Sequence, residues 1–159
     1  MSKVHLTSFL LAVAVTLPVS TVRAQGSNLS EQDRQAILTY SLTLQKANEI
    51  IAAAGEMTKY VLSRPDAAEV VARSMKMNRS EQIAQMERDD KAMAIATKHG
   101  LSARDYTYGV PALRMALFAA QGLTGPTIIA SPANAAFAKV NLAALKPKMD
   151  AVDGVGARR

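Results

Sequence analysis

The sequence predicts an all-α fold. Apolar residues recur at spacings of three, four and seven along most segments after residue 30, which is the pattern of helices with one buried face. Few segments alternate Val, Ile or Tyr with polar residues, as half-buried strands do. Short joints with capping residues separate the periodic segments. Together these observations predict one compact bundle of about five helices, spanning residues 25–151.

The first 24 residues, MSKVHLTSFLLAVAVTLPVSTVRA, predict a cleaved signal peptide. Lys3 precedes an apolar run that begins at Leu6, and Val22 and Ala24 supply small residues before the cut. Polar residues and a proline break the run, which falls short of the ~20 apolar residues that a bilayer core requires. We therefore expect a mature chain from Gln25 that is periplasmic or secreted, without stable membrane insertion.

The first half of the mature chain predicts a long helix and shorter ones. The long helix extends from about Thr43 to Leu62, and a break or a short leading helix is expected over residues 31–42. Asp66 with Glu69 has the spacing of a reciprocal cap, and Ser80 is expected to cap the next helix. The segment that follows, from residue 88, is predicted either to continue that helix or to start a new one at the paired acids of residues 89 and 90.

The second half predicts the most apolar and therefore most buried helix, over residues 103–121. Pro111 is expected to kink it. A last helix begins near Pro132 and is open to interruption at Pro147. Residues 152–159 are expected to form a loose tail.

The segment KHGLSARDYTYG holds the residue types of a nucleophilic triad, at His99, Ser102 and Asp105. A triad needs a free serine oxygen hydrogen-bonded to a partnered base. Here Gly100 favours a left-handed helix end, and the serine and aspartate are spaced for a capping box. We interpret the segment as a helix-glycine-helix joint, and the sequence predicts a non-enzymatic protein.

Composition excludes several classes of site. The chain has no cysteine and two histidines, one of them in the leader, which excludes the usual zinc and haem ligand patterns. No cofactor is predicted. The positive charges are scattered and aromatic residues make up 4% of the chain, so nucleic-acid binding is not predicted.

The best candidate binding site is a groove near residues 106–118. We select Tyr106, Tyr108 and Arg114 as candidate ligand-binding residues. Tyr106 is expected to belong to the core, whereas the Tyr108 hydroxyl is expected to line a cleft. The predicted occupant is an unknown protein or a small apolar ligand.

Two alternative functions are kept. One is a stress or chaperone-like protein that holds unfolded clients with its amphipathic helices. The other is Cu(I) handling by the thioethers of Met75, Met77 and Met86. Core packing is the competing interpretation of the methionines, because residues two apart on a helix face nearly opposite ways.

Two stretches, KHGLSARDYTYGVPALRMAL and SPANAAFAKVNLAAL, resemble a pattern found in small exported helical proteins of Gram-negative bacteria that have no assigned activity. The stretches cover residues 98–117 and 131–145 and consist of capping and packing motifs. The resemblance implies periplasmic localisation and supplies no catalytic residues. Pro111 and Pro147 fall where that pattern runs as uninterrupted helix.

Overall fold

The computed structural model describes residues 29–157, which form seven α-helices and no strand. The all-α class is therefore confirmed, whereas about five helices were expected. The difference arises because residues 31–39 form a helix of their own and because Asp89 caps a new helix, which separates it from the preceding one. The predicted signal peptide lies outside the described residues. The helices are α1 Glu31–Thr39, α2 Leu44–Leu62, α3 Ala67–Lys76, α4 Arg79–Glu87, α5 Asp90–Lys98, α6 Ala103–Ala120 and α7 Pro132–Ala157.

Helices α2, α6 and α7 pack against one another and form the centre of the bundle. Ile50, Leu113 and Leu145, one from each helix, are fully buried there. Helix α6 also contacts α1, α4 and α5, which fits its prediction as the central element. Within residues 29–157, no helix is both long and apolar enough to cross a membrane.

The helix ends confirm some of the predicted caps and correct others. Ser102 and Asp105 form a complete capping box at the start of α6. Gly100 ends the preceding helix with φ +68°, a left-handed conformation that glycine adopts without strain. The Asp66 side chain caps no helix, because its carboxylate binds Arg64 instead. The cap of α4 is Asn78, not Ser80.

The interruption expected at Pro147 is absent from the described helices. Helix α6 continues through Pro111, and α7 continues through Pro147 to Ala157. The predicted tail is therefore helical as far as residue 157. Packing accounts for this, since Val152 is buried and the Asp153 carboxylate accepts a hydrogen bond from Arg114 on α6.

The buried side chain of Asn134 joins α7 to the non-helical segment between α1 and α2. Its Nδ2 donates to the carbonyl of Tyr40 at 2.7 Å, and its Oδ1 accepts from the backbone N–H of Leu42 at 3.3 Å. These backbone groups have left one helix and not yet entered the next, so they need partners from elsewhere. The amide of Asn134 supplies both a donor and an acceptor.

Candidate functional site

A cleft of about 300 Å³ lies where α1 and the α1–α2 joint meet the first turns of α6. We call it the α1/α6 cleft. Helix α6 contributes Arg104, Asp105 and Tyr108 to its lining. The other side consists of α1 and the joint, which contribute Ala36, Thr39, Tyr40 and Ser41. The lining is thus mixed, with two aromatic rings, two aliphatic hydroxyls and one side chain of each charge.

The Tyr108 hydroxyl ties α6 to α1. It donates to Asp33 Oδ1 at 2.8 Å, and both residues are buried. Ser30 donates its hydroxyl to the other carboxylate oxygen at 2.7 Å. Burial raises the pKa of Asp33, but these hydrogen bonds and the nearby charge of Arg79 outweigh it and hold the pKa below 3.8. The carboxylate is therefore an ionised acceptor whose two oxygens are both occupied.

Tyr40, in the lining of the cleft, lies very close to the backbone of α6. A Cβ added at Gly109 would lie 2.9 Å from the Tyr40 hydroxyl oxygen and 2.8 Å from Cδ1 of Ile50. Glycine at this position admits the tyrosine ring against the helix. The buried hydroxyl of Tyr40 has no hydrogen-bond partner among the described residues. Burial raises the pKa of Tyr40 to about 12, so it remains a neutral donor.

Arg104 places a positive charge at the mouth of the cleft. Its guanidinium carbon lies 4.9 Å from the centre of the Tyr108 ring, a cation–π geometry. The side chain is exposed and forms no ion pair within the described part of the chain. The guanidinium therefore retains donors that face water.

Of the three sequence-predicted ligand residues, only Tyr108 lines the cleft. Tyr106 packs against the main core, and burial raises its pKa to about 12. Arg114 faces the other side of α6 and pairs with Asp153. Within the predicted groove near residues 106–118, Leu113 and Leu117 are buried in the main core. The α1/α6 cleft lies at the N-terminal end of α6.

The three candidate copper ligands have different environments. Met86 is 8% exposed within the core, whereas Met75 is 64% exposed on α3. Met77 is half-buried and ends α3 in an extended conformation. The expectation that Met75 packs in the core was wrong, while it holds for Met86. Among residues 29–157, no group of three or more His, Cys, Asp or Glu side chains is placed to hold a metal ion.

The residues that resembled a triad have structural roles. Ser102 accepts the backbone N–H of Asp105 at 3.0 Å and donates its hydroxyl to that carboxylate at 2.7 Å. His99 Nε2 lies 3.0 Å from Glu56 Oε1, and Lys98 donates to the same carboxylate. Hydrogen bonds from Lys98 and His99 lower the pKa of Glu56. The predicted helix-glycine-helix joint is confirmed.

Sequence reasoning missed Arg104 and Tyr40. The spacing of four between Arg104 and Tyr108 is a usable indication, since it places two side chains on the same helix face. Tyr40 and Asp33 meet α6 only through the tertiary fold, and no local pattern indicates this. Comparisons with protein-family models, with curated proteins and with solved structures find no match for this chain.

Proposed function

We propose that the mature chain is a non-enzymatic binding module of the periplasm or the extracellular space, and that its ligand site is the α1/α6 cleft. The observation that carries this proposal is the exposed guanidinium of Arg104, which stacks on Tyr108 at a concave surface and has no ion-pair partner in the described part of the chain. Ligand sites are commonly concave, with a few convergent polar groups that orient the ligand.

Localisation is the first part of the proposal to test. The full chain should be expressed in a Gram-negative host and released by osmotic shock, and its N-terminus should be sequenced. We expect a mature N-terminus at Gln25 in the shock fluid. An intact Met1 in the cytoplasmic fraction would overturn the proposed export.

Ligand binding is tested by native mass spectrometry of the mature protein, taken from the periplasm without refolding. We expect a reproducible added mass that disappears in the Arg104→Gln variant. Arg88→Gln is the matched control, because Arg88 is an exposed arginine that ends α4. Binding at this cleft is excluded if no added mass is found and no member of a fragment library shifts the NMR signals of Tyr40 and Tyr108.

Client holding is the second candidate function, and the exposed apolar side chains of α3 favour it. Val71 is 38% exposed and Met75 is 64% exposed on this short amphipathic helix. Contiguous exposed apolar surface marks sites of protein–protein interaction. The mature protein should then suppress the aggregation of a heated model client, and Met75→Gln should weaken the effect. Val140→Thr is the control, because Val140 is also exposed but lies on α7.

A further inference from the structure

The polar groups at the α1/α6 cleft differ in how many of their oxygen atoms have hydrogen-bond partners. Asp33 accepts hydrogen bonds on both oxygens, from the hydroxyls of Tyr108 and Ser30. Thr39, in the lining, donates its hydroxyl to the carbonyl of Gln35 at 2.8 Å. Asp105 is different, because the backbone N–H and the hydroxyl of Ser102 both bind its Oδ2. Within the described residues, Asp105 Oδ1 has no hydrogen-bond partner.

Arg104 and Asp105 are opposite in charge but do not neutralise each other. Consecutive residues on an α-helix point in directions about 100° apart, so their side chains do not face one another. No ion pair joins them in the described part of the chain, although both line the cleft. The cleft therefore presents a cationic donor and an anionic acceptor as two separate points.

We infer that the α1/α6 cleft binds a small zwitterion of the α-amino acid class, with its carboxylate on Arg104 and its ammonium group on Asp105. This inference rests on the proposed function. A guanidinium presents two parallel N–H donors that match the geometry of a carboxylate. The free Oδ1 of Asp105 provides the acceptor for the ammonium group.

The two tyrosine rings suit the rest of such a ligand. Tyr40 lines the cleft from the α1–α2 joint and Tyr108 lines it from α6, and aromatic side chains in a ligand site pack against hydrocarbon. A ligand with only a negative charge would face Asp105 without a partner for that carboxylate. A ligand with only a positive charge would face Arg104 in the same way. Charge complementarity therefore favours a molecule that carries both signs.

Three probes with the same ring separate the two charges: L-phenylalanine, phenethylamine and 3-phenylpropionate. Their dissociation constants are measured by NMR titration of the mature protein, from the backbone amides of residues 104–108. We expect phenylalanine to bind about tenfold more tightly than either singly charged probe, since each charge-assisted hydrogen bond contributes to affinity.

The variants assign each charge to a residue. Arg104→Gln should weaken phenylalanine and 3-phenylpropionate about tenfold and leave phenethylamine unchanged. Asp105→Asn should weaken phenylalanine and phenethylamine instead. Ser102→Ala is the matched control, because it removes the cap hydroxyl of α6 and keeps the Asp105 charge. Circular dichroism checks that each variant is folded.

The outcomes distinguish this inference from the proposed function. If a singly charged probe binds as tightly as phenylalanine at residues 104–108, the zwitterion is wrong and the binding site stands. If Ser102→Ala weakens phenethylamine as much as Asp105→Asn does, the assignment of the ammonium group to Asp105 is wrong. If none of the probes shifts these amides, the ligand class is overturned, and the native mass and fragment experiments decide the proposed function separately.

Discussion

Two regions of the molecule each combine a tyrosine, an aspartate and an arginine, and they differ in which hydrogen-bonding groups lack a partner. At one end of α2, the Tyr60 hydroxyl lies 2.9 and 3.0 Å from the two oxygens of Asp89. At the α1/α6 cleft, the Tyr108 hydroxyl lies 2.8 Å from Asp33. In both places burial, and then the hydrogen bond to the carboxylate, raises the pKa of the tyrosine.

The arginines distinguish the two regions. Arg64 donates to Asp89 and to the Tyr60 hydroxyl at 3.1 Å each and binds both oxygens of Asp66, so all three of its guanidinium nitrogens have partners. Within the described residues, Arg104 has a cation–π contact with the Tyr108 ring and no side-chain hydrogen bond or ion pair. Similar residue types thus form a fully paired cluster near Tyr60 and a cleft with unpaired polar groups near Tyr108. Unused hydrogen-bonding capacity, and not residue type, identifies the candidate site.

The largest expected effect comes from releasing the joint that forms one wall of the cleft. Asn134→Ala leaves the carbonyl of Tyr40 and the N–H of Leu42 without their partners, which costs about 2–4 kcal/mol of unfolding free energy. Urea unfolding measures this value. The control is Asn141→Ala, whose amide binds a carbonyl of its own helix and should cost less. Equal losses in the two variants would contradict the role of Asn134.

A methyl group added at Gly109 should disrupt the packing near Tyr108 and leave the contacts near Tyr60 unchanged. Gly109→Ala meets Ile50 and Tyr40 at 2.8 and 2.9 Å, and such overpacking costs about 1–3 kcal/mol. Gly55→Ala is the control, because its Cβ meets Val152 at an ordinary 3.6 Å and should stabilise α2 by up to about 1 kcal/mol. Thermal unfolding of both variants checks the opposite signs.

Removing each tyrosine hydroxyl compares the two regions directly. Tyr108→Phe leaves a buried, ionised carboxylate with one partner fewer, which costs about 1–2 kcal/mol of unfolding free energy. Tyr60→Phe should cost less, because Asp89 is half-buried and keeps hydrogen bonds from Arg64 and from the N–H of Ala92. Urea unfolding of both variants gives the ranking, and the reverse order would refute it.

The pH dependence gives a second test of the Tyr108 region. Asp33 has a folded-state pKa below 3.8, so the stability from its ionised form is present above pH 3.8 and is lost as the pH falls through the folded-state value. The difference in unfolding free energy between wild type and Asp33→Asn should therefore shrink below pH 3.8. Carboxyl NMR titration locates the folded-state pKa, and a midpoint at or above 3.8 would contradict the assignment.

The smallest expected effect concerns the arginines. Arg104→Gln should change the unfolding free energy by no more than about 0.5 kcal/mol, because the side chain is exposed and unpaired within the described chain. Arg64→Gln should lower the melting temperature more, because it removes bonds to two aspartates. A calorimetric scan of both variants suffices. A larger loss from Arg104→Gln would mean that Arg104 has a structural role.

Local patterns predicted the helices better than the site. The capping box of Ser102 and the helix end at Gly100 follow from residues a few positions apart, so both were predictable. The sequence also indicated a cleft at Tyr108, but the hydroxyl that was expected to line it is buried against Asp33. Its partner Asp33 lies 75 residues earlier in the chain, and no spacing rule reaches that far. Met75 was misassigned because an apolar helix face is buried only where another element covers it.

The amide of Asn134 also bears on the order in which the chain folds. Its hydrogen bonds join residues that are 92 and 94 positions apart in the chain, so forming them closes long loops and costs conformational entropy. Local helices can form within microseconds, but these two bonds require α7 to dock first. The wall of the cleft at Tyr40 therefore gains these two partners only when α7 docks, in the same step that completes the three-helix centre.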